Sequence, residues 1–179
     1  TFDNQTLLDI ALVVEGTEGI TTYDVTDPLN VVSFNQGTTA VDGNRIFVEP
    51  SATPDEPFVV YLAESWKGMR IFESTPDFPG VLEYNGVFAG TQGYAMGIVV
   101  KEGYAYVADG TEGIAVYRID GGETPVKLAQ LDLTAYSRSI VVARGYALLC
   151  AADGGVHVVD VRDPEHPTYA GTVATDYAA

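Results

Sequence analysis

Apolar residues along this chain come in short runs, and glycine and charged residues interrupt each run before a helix could form. Runs at 10–14, 58–63, 104–108 and 146–150 each lead into a polar loop. A second run follows each loop, at 20–25, 69–72, 114–119 and 156–161. The loops are copies of one another. Glu15-Gly16-Thr17-Glu18-Gly19-Ile20 returns as Asp109-Gly110-Thr111-Glu112-Gly113-Ile114, with weaker versions at 64–69 and 151–156. Their anchoring glycines, Gly19, Gly68, Gly113 and Gly155, are spaced by 49, 45 and 42 residues. Gly103-Tyr104-Ala105 and Gly145-Tyr146-Ala147 form another recurring landmark, each after an apolar run. Several landmarks recurring in one order mark a repeat architecture.

Each unit reads as four short strands. In the third unit they are predicted at about 95–101, 104–109, 114–119 and 126–131, with Gly-rich turns between them. Tight turns join antiparallel neighbours, so each unit is a four-stranded antiparallel meander. No stretch keeps apolar residues at helical spacing without an interrupting Gly or Pro, so helix is not expected. The middle strands Ile114-Ala115-Val116-Tyr117 and Val156-His157-Val158-Val159 are nearly apolar on both faces. A sheet with one wet face would alternate. Two-sided burial at this repeat length predicts an all-β chain, a β-propeller-type array of about four blades, with units near 1–43, 44–93, 94–135 and 136–179. Ile10, Leu12, Val13, Ile98, Val99, Ile114, Val116, Ile140, Val141, Val156 and Val158 are expected to be almost fully buried.

Both ends fall at the same point of the repeat. The first inner strand is expected within residues 1–6, which are polar, and Tyr177-Ala178-Ala179 aligns with the entry to a further inner strand. The expectation is therefore four blades of something larger, made by a longer chain or by further copies in a ring or filament.

Three phrases carry a family resemblance: Tyr104-Ala105-Tyr106-Val107-Ala108-Asp109, Gly155-Val156-His157-Val158-Val159-Asp160-Val161, and Arg162-Asp163-Pro164-Glu165-His166-Pro167. They resemble the LVIVD repeat, and Ile20-Thr21-Thr22-Tyr23-Asp24-Val25-Thr26-Asp27-Pro28 is similar to the same pattern. The second unit departs from it, with an insertion around 51–57 and Phe72-Glu73-Ser74 in place of the Val-Asp-Val phrase. The resemblance implies propeller blades in a bacterial or archaeal protein, secreted or held at the cell surface. It implies no activity, since one fold hosts many functions.

Charge narrows the partners. Twenty-five Asp and Glu face nine Lys and Arg, a formal charge of −16. Nucleic-acid binding needs a basic stripe to displace counterions, and nine scattered cations do not form one. The same excess disfavours anionic lipid. No apolar run approaches the roughly 20 residues that a membrane-inserted helix requires. Cys150 is the single cysteine. It can form no internal disulfide, and in an apolar strand it is expected to be a buried, inert thiol.

Candidate chemistry gathers at the loops. Glu15, Glu18, Glu64, Asp109 and Glu112, with Asp153, would ring one face of a propeller, where hard oxygens could hold Ca²⁺. Set against that, Asp and Gly also simply make such turns, and no dense calcium-loop spacing occurs. Tyr94, Tyr136 and Tyr177, spaced by 42 and 41 residues, would line the same face. They offer either flat contact area for a ligand or packing between blades. Trp66 is either a partner anchor or a cover for the adjacent insertion. Asn4-Gln5-Thr6 is a glycosylation acceptor pattern at Asn4.

Enzyme signatures are missing. His157 sits within a strand and His166 in a Pro-flanked turn, and neither has a Ser or Cys partner at triad-like spacing. No zinc-protease or phosphate-loop motif occurs. The expected function is non-catalytic, without cofactor: an extracellular or cell-surface module for protein–protein interaction or self-assembly, with other proteins or its own copies as partners. The alternative is a ligand- or calcium-binding propeller using the carboxylate and tyrosine ring.

Overall fold

Four antiparallel sheets succeed one another in the computed structural model, which describes residues 9–35, 42–51, 53, 56–75, 78–119, 124–152 and 155–175. The first holds β1 (Ile10–Val14), β2 (Ile20–Asp24) and β3 (Val32–Asn35). The second holds β4 (Arg45–Glu49), β5 (Val59–Glu64), β6 (Gly68–Thr75) and β7 (Phe78–Ala89). In the third are β8 (Gly97–Lys101), β9 (Tyr104–Ala108), β10 (Ile114–Arg118) and β11 (Val126–Leu131). The fourth contains β12 (Ser137–Ala143), β13 (Tyr146–Ala151), β14 (Gly155–Asp160) and β15 (Thr168–Val173). Each sheet keeps its strands in chain order, as a meander must. Among the described residues the only helical element is a single 3-10 turn at Gly16–Glu18. The strand expected within residues 1–6 lies outside the described residues.

Local chemistry explains the hairpins. Glu102-Gly103 and Arg144-Gly145 each form a two-residue turn with both φ values positive, at 52° and 79° and at 52° and 78°. Paired positive φ values are the backbone of a type I′ turn, whose twist suits the flanking strands. Farther out, the register between third and fourth strands shifts at matching points, after Thr22, Val116 and Val158. Such bulges increase local twist, and here each blade is twisted at the same place.

Adjacent blades bury apolar faces against one another in three clusters. Leu12, Val14 and Ile20 of the first blade meet Val60, Leu62 and Phe72 of the second. Tyr61, Ala63, Met69 and Ile71 meet Ala105, Val107, Ala115 and Tyr117 of the third. Tyr106, Ala108, Ile114 and Val116 meet Ala147, Leu149 and Val159 of the fourth. The second and third blades are therefore covered on both sides. Ile98, Ile114, Val116 and Ile140 are buried as the pattern predicts. Ile10, Leu12, Val99, Val156 and Val158 are only partly buried. Val13 and Val141, in contrast, are 42% and 59% exposed. Those two lie on the outward faces of the first and fourth blades, which no other blade among the described residues covers.

Candidate interaction face and loop sites

The anchoring glycine gives every blade a common ruler. Residues seven and five before it, and one and three after it, point toward the following blade. In the first three blades these are Leu12, Val14, Ile20 and Thr22; Tyr61, Ala63, Met69 and Ile71; and Tyr106, Ala108, Ile114 and Val116. All twelve lie at a blade interface; Thr22 does so by donating its hydroxyl proton to the Gly80 carbonyl in the second blade. The fourth blade places Leu148, Cys150, Val156 and Val158 at the same positions. Cross-strand pairing adds Val141 beside Leu148 and Val173 beside Val156. Val141 and Val173 stand more than half exposed, and Leu148 is 38% exposed. Among the described residues, no further blade meets this blade-interface pattern. Cys150 is accordingly half-buried rather than sealed in the core.

A backbone clasp accompanies each interface. The residue after the loop acid, Gly16, Ser65 or Gly110, has φ of 56°, 39° or 57°. Its carbonyl accepts from the next blade: Gly43 N at 3.2 Å, Ala95 N at 2.8 Å and Ser137 N at 2.9 Å. Left-handed backbone favours glycine at this point. Ser65 compensates with its hydroxyl, which donates to the Asp42 carbonyl at 2.8 Å and accepts from Asn44 Nδ2 at 3.2 Å. Asn44 Nδ2 also donates to the Ala95 carbonyl at 2.8 Å.

The loop carboxylates occupy equivalent places but differ in role. Glu15 and Glu18 are exposed, and Glu15 accepts from the Thr21 hydroxyl. Glu64 is fully buried, with Lys67 Nζ 2.8 Å from Oε1, Arg70 Nη2 3.0 Å from Oε1 and Arg70 Nε 2.7 Å from Oε2. Asp109 is also fully buried, yet Ala115 stands where Arg70 supplies a cation in the second blade. It relies instead on Gly93 N at 3.2 Å and Gln130 Nε2 at 3.5 Å, while Gln130 also donates to the Glu112 carbonyl at 2.6 Å.

Burial pushes the Asp109 carboxyl above its ordinary value, against hydrogen bonds from Thr91 and the Gly93 and Gln92 amides and the charge of Lys127. The unfolded chain therefore releases this proton first. The stabilising effect of the protonated form is complete below the ordinary carboxylate pKa and is lost as pH rises through the raised one. Asp109→Asn is expected to raise stability at neutral pH and flatten this part of the pH dependence. Urea unfolding across a pH series checks it, and equal pH profiles for variant and native protein would refute it.

Tyr94 and Tyr136 come together at Gly110, where an added Cβ would lie 3.2 Å from the Tyr94 Cβ and 3.4 Å from Tyr136 Cε2. The Tyr94 hydroxyl reaches Asp42 Oδ2 at 3.3 Å. Trp66 stands 65% exposed with the Lys67 ammonium 5.5 Å from its ring centre. Glu112 is half-buried beside Asp109. Tyr177, Asn4 and Asp153 lie outside the described residues. Among the described residues, no three His, Cys, Asp and Glu side chains gather as a metal site, and no helix is long and apolar enough to cross a membrane.

Sequence reasoning passed over Arg70, Gln130, Asn44 and the outward face of the fourth blade. The ruler set by the anchoring glycine would have found the face, since it fixes which residues of each strand look forward. It also marks the residue two after that glycine, successively Thr21, Arg70, Ala115 and His157. That residue partners the loop acid in the first two blades.

Comparison with known proteins agrees with this architecture. The LVIVD repeat family model matches residues 92–117 and 135–175. No curated protein matches the chain in sequence at a significant level. A functionally unknown protein from Desulfotomaculum acetoxidans DSM 771 superposes with a TM-score of 0.69 at 16% identity, over 94% of this chain and 55% of that one. The computationally designed Ika8 protein gives 0.63 at 14%, over 93% and 48%. BBS1N, crystallised in complex with ARL6DN, gives 0.62 at 12%, over 99% and 53%. This chain thus spans about half the length of these solved structures.

Proposed function

With LVIVD repeats in its third and fourth blades, this chain is, we propose, a non-catalytic interaction module that binds protein through the forward face of its fourth blade. The observation that carries the reading is the set Leu148, Cys150, Val156 and Val158, with Val141 and Val173 beside them. The same positions in the other three blades lie at blade interfaces. Contiguous exposed apolar surface of this kind is the usual mark of a protein-binding site. One solved structure of similar fold is itself a protein complex, BBS1N with ARL6DN, which supports the class of function and no more. A secreted or surface setting belongs to the proposal, supported by the repeat family and by the formal charge of −16.

Cys150 reports on this face directly, whatever covers it. In protein taken from its source without denaturation, Cys150 is expected to react with a maleimide many times more slowly than in a Leu148→Arg variant. Equal and fast labelling in both would show the face uncovered and end the reading. A calcium titration separates it from the ligand-binding alternative: a large calcium-dependent rise in melting temperature favours the loop carboxylates as the working site.

A further inference from the structure

In the first three blades an acid stands four residues before the anchoring glycine, and each blade balances its charge differently. In the second, Glu64 is buried, and two cations pair with its carboxylate. They are Lys67, one residue before Gly68, and Arg70, two residues after it. The same two positions in the third blade hold Glu112 and Ala115. One carboxylate with two cations is thus replaced by two carboxylates with none. The first blade also carries two acids, Glu15 and Glu18, but both are exposed, where water weakens their repulsion. Asp109 has no such relief, because it is fully buried.

The surroundings of Asp109 gather further oxygens. A Cβ built on Gly93 would lie 3.1 Å from Asp109 Oδ1 and 2.8 Å from Glu112 Cγ. The two acidic side chains therefore converge on one point, beside a residue that adds no side chain of its own. Gln130 Nε2 donates to the Glu112 carbonyl at 2.6 Å and reaches Asp109 Oδ2 at 3.5 Å, which ties the amide to both acidic residues. Gln130 Oε1 is buried without a hydrogen-bond partner, and so is Asp109 Oδ1. The Thr91 hydroxyl leans on the Asp109 carboxylate as well, and Lys127 lends its charge without a hydrogen bond. A buried carboxylate oxygen with neither donor nor cation is costly. The arrangement calls for a positive charge that neither aligned position supplies.

We infer that Asp109 and Glu112, with the Gln130 and Thr91 oxygens, hold a calcium ion in the loop of the third blade. All four are hard oxygen donors, whereas zinc and copper favour nitrogen and sulfur. Calcium takes about six to eight oxygens in flexible geometry, so backbone carbonyls and water can complete its shell. Magnesium demands a near-ideal octahedron and gives up its water reluctantly, which suits these mixed donors less well. The ion does for this blade what Lys67 and Arg70 do for the second. This goes beyond the interaction-face reading and is independent of it, because the fourth blade contributes nothing to the site.

Equilibrium dialysis tests it, with the intact chain stripped of metal by a chelator and then exposed to calcium. Salt and magnesium in the buffer suppress diffuse binding to a chain of formal charge −16. One calcium per chain is expected. Asp109→Asn and Glu112→Gln should each weaken it on the order of 10-fold or more, since each removes a charged ligand. Glu18→Gln, at the position matching Glu112 in the first blade, should leave the affinity as it is. Circular dichroism verifies that each variant folds. Calcium should also raise the urea midpoint of the native chain and leave that of Asp109→Asn unchanged. An effect that Asp109→Asn abolishes marks an ion bracing one blade, and leaves the fourth-blade face as the binding site. No bound calcium at about 1 mM, the weak end of natural calcium sites, overturns the inference. Native affinity retained in Asp109→Asn also overturns it, because the ion would then sit at other loop carboxylates. Neither result touches the fourth-blade reading, which Cys150 labelling decides on its own.

Discussion

Gly113→Ala is expected to destabilise the protein by about 2–5 kcal/mol: roughly 1–2 for left-handed backbone at a residue with a side chain, and roughly 1–3 for forcing packed strands apart. Gly113 has φ of +77°, and a Cβ there would lie 2.3 Å from the Leu131 carbonyl oxygen and 2.7 Å from the Leu133 nitrogen. Both are backbone atoms, one at the end of the fourth strand and one two residues beyond it, so no side chain can swing aside. Gly103 is the control. Its φ is +79°, but the nearest atom to an added Cβ is the Ile119 oxygen at 3.8 Å. Gly103→Ala should therefore cost the backbone part alone, roughly 1–2 kcal/mol. Denaturant midpoints at unchanged slope measure both. Equal losses at the two glycines would rule out the steric account.

The second large effect is electrostatic. Arg70→Ala should cost about 3 kcal/mol or more, because it leaves the fully buried Glu64 carboxylate with Lys67, whose side chain is partly exposed. The guanidinium also covers the Tyr84 ring at 5.0 Å, so packing is lost along with charge. Replacing Glu64 and Arg70 together by leucine should recover most of that loss, since an apolar pair of similar volume removes the stranded charge. The comparison needs both single variants and the double variant, read as a cycle of unfolding free energies. Additive losses would mean that the two side chains act independently and that the ion pair is incidental.

Strand order, hairpins and blade boundaries were legible in the sequence because backbone geometry forces particular residues at particular points. Gly68, Gly113 and Gly155 recur because the fourth strand's carbonyl passes within 2.3, 2.3 and 2.2 Å of where a Cβ would stand. Glu102-Gly103 and Arg144-Gly145 recur because their turn demands two positive φ values. The aspartates of the repeat phrase have a similar local cause. Asp24, Asp27, Asp160 and Asp163 each accept a backbone N–H two residues on, at 2.9 to 3.1 Å, which folds the chain between third and fourth strands.

The loop chemistry was less legible. Glu64 and Asp109 share one place in the repeat, but burial and partners separate them, and those depend on residues from other strands. Arg70 and Gln130 carry no motif of their own. The apolar strand phrase at 156–159 likewise reads the same whether or not a blade covers it. Val158 and Val116 are equivalent in sequence, yet only Val116 is fully buried, because the sequence of a blade does not encode the presence of its neighbour.

The clasp from Gly16, Ser65 and Gly110 ties each blade to the next in the chain, and the apolar clusters do the same. Cohesion in such an array is a sum over neighbouring pairs, as in a stacked solenoid. Unfolding then starts most easily at a terminal blade, which is held from one side, and peels inward one interface at a time. Joining the two ends would remove the place where peeling begins. Every blade would have to break two interfaces to leave, so closure would lengthen the lifetime of the folded state more than one added interface raises its equilibrium stability.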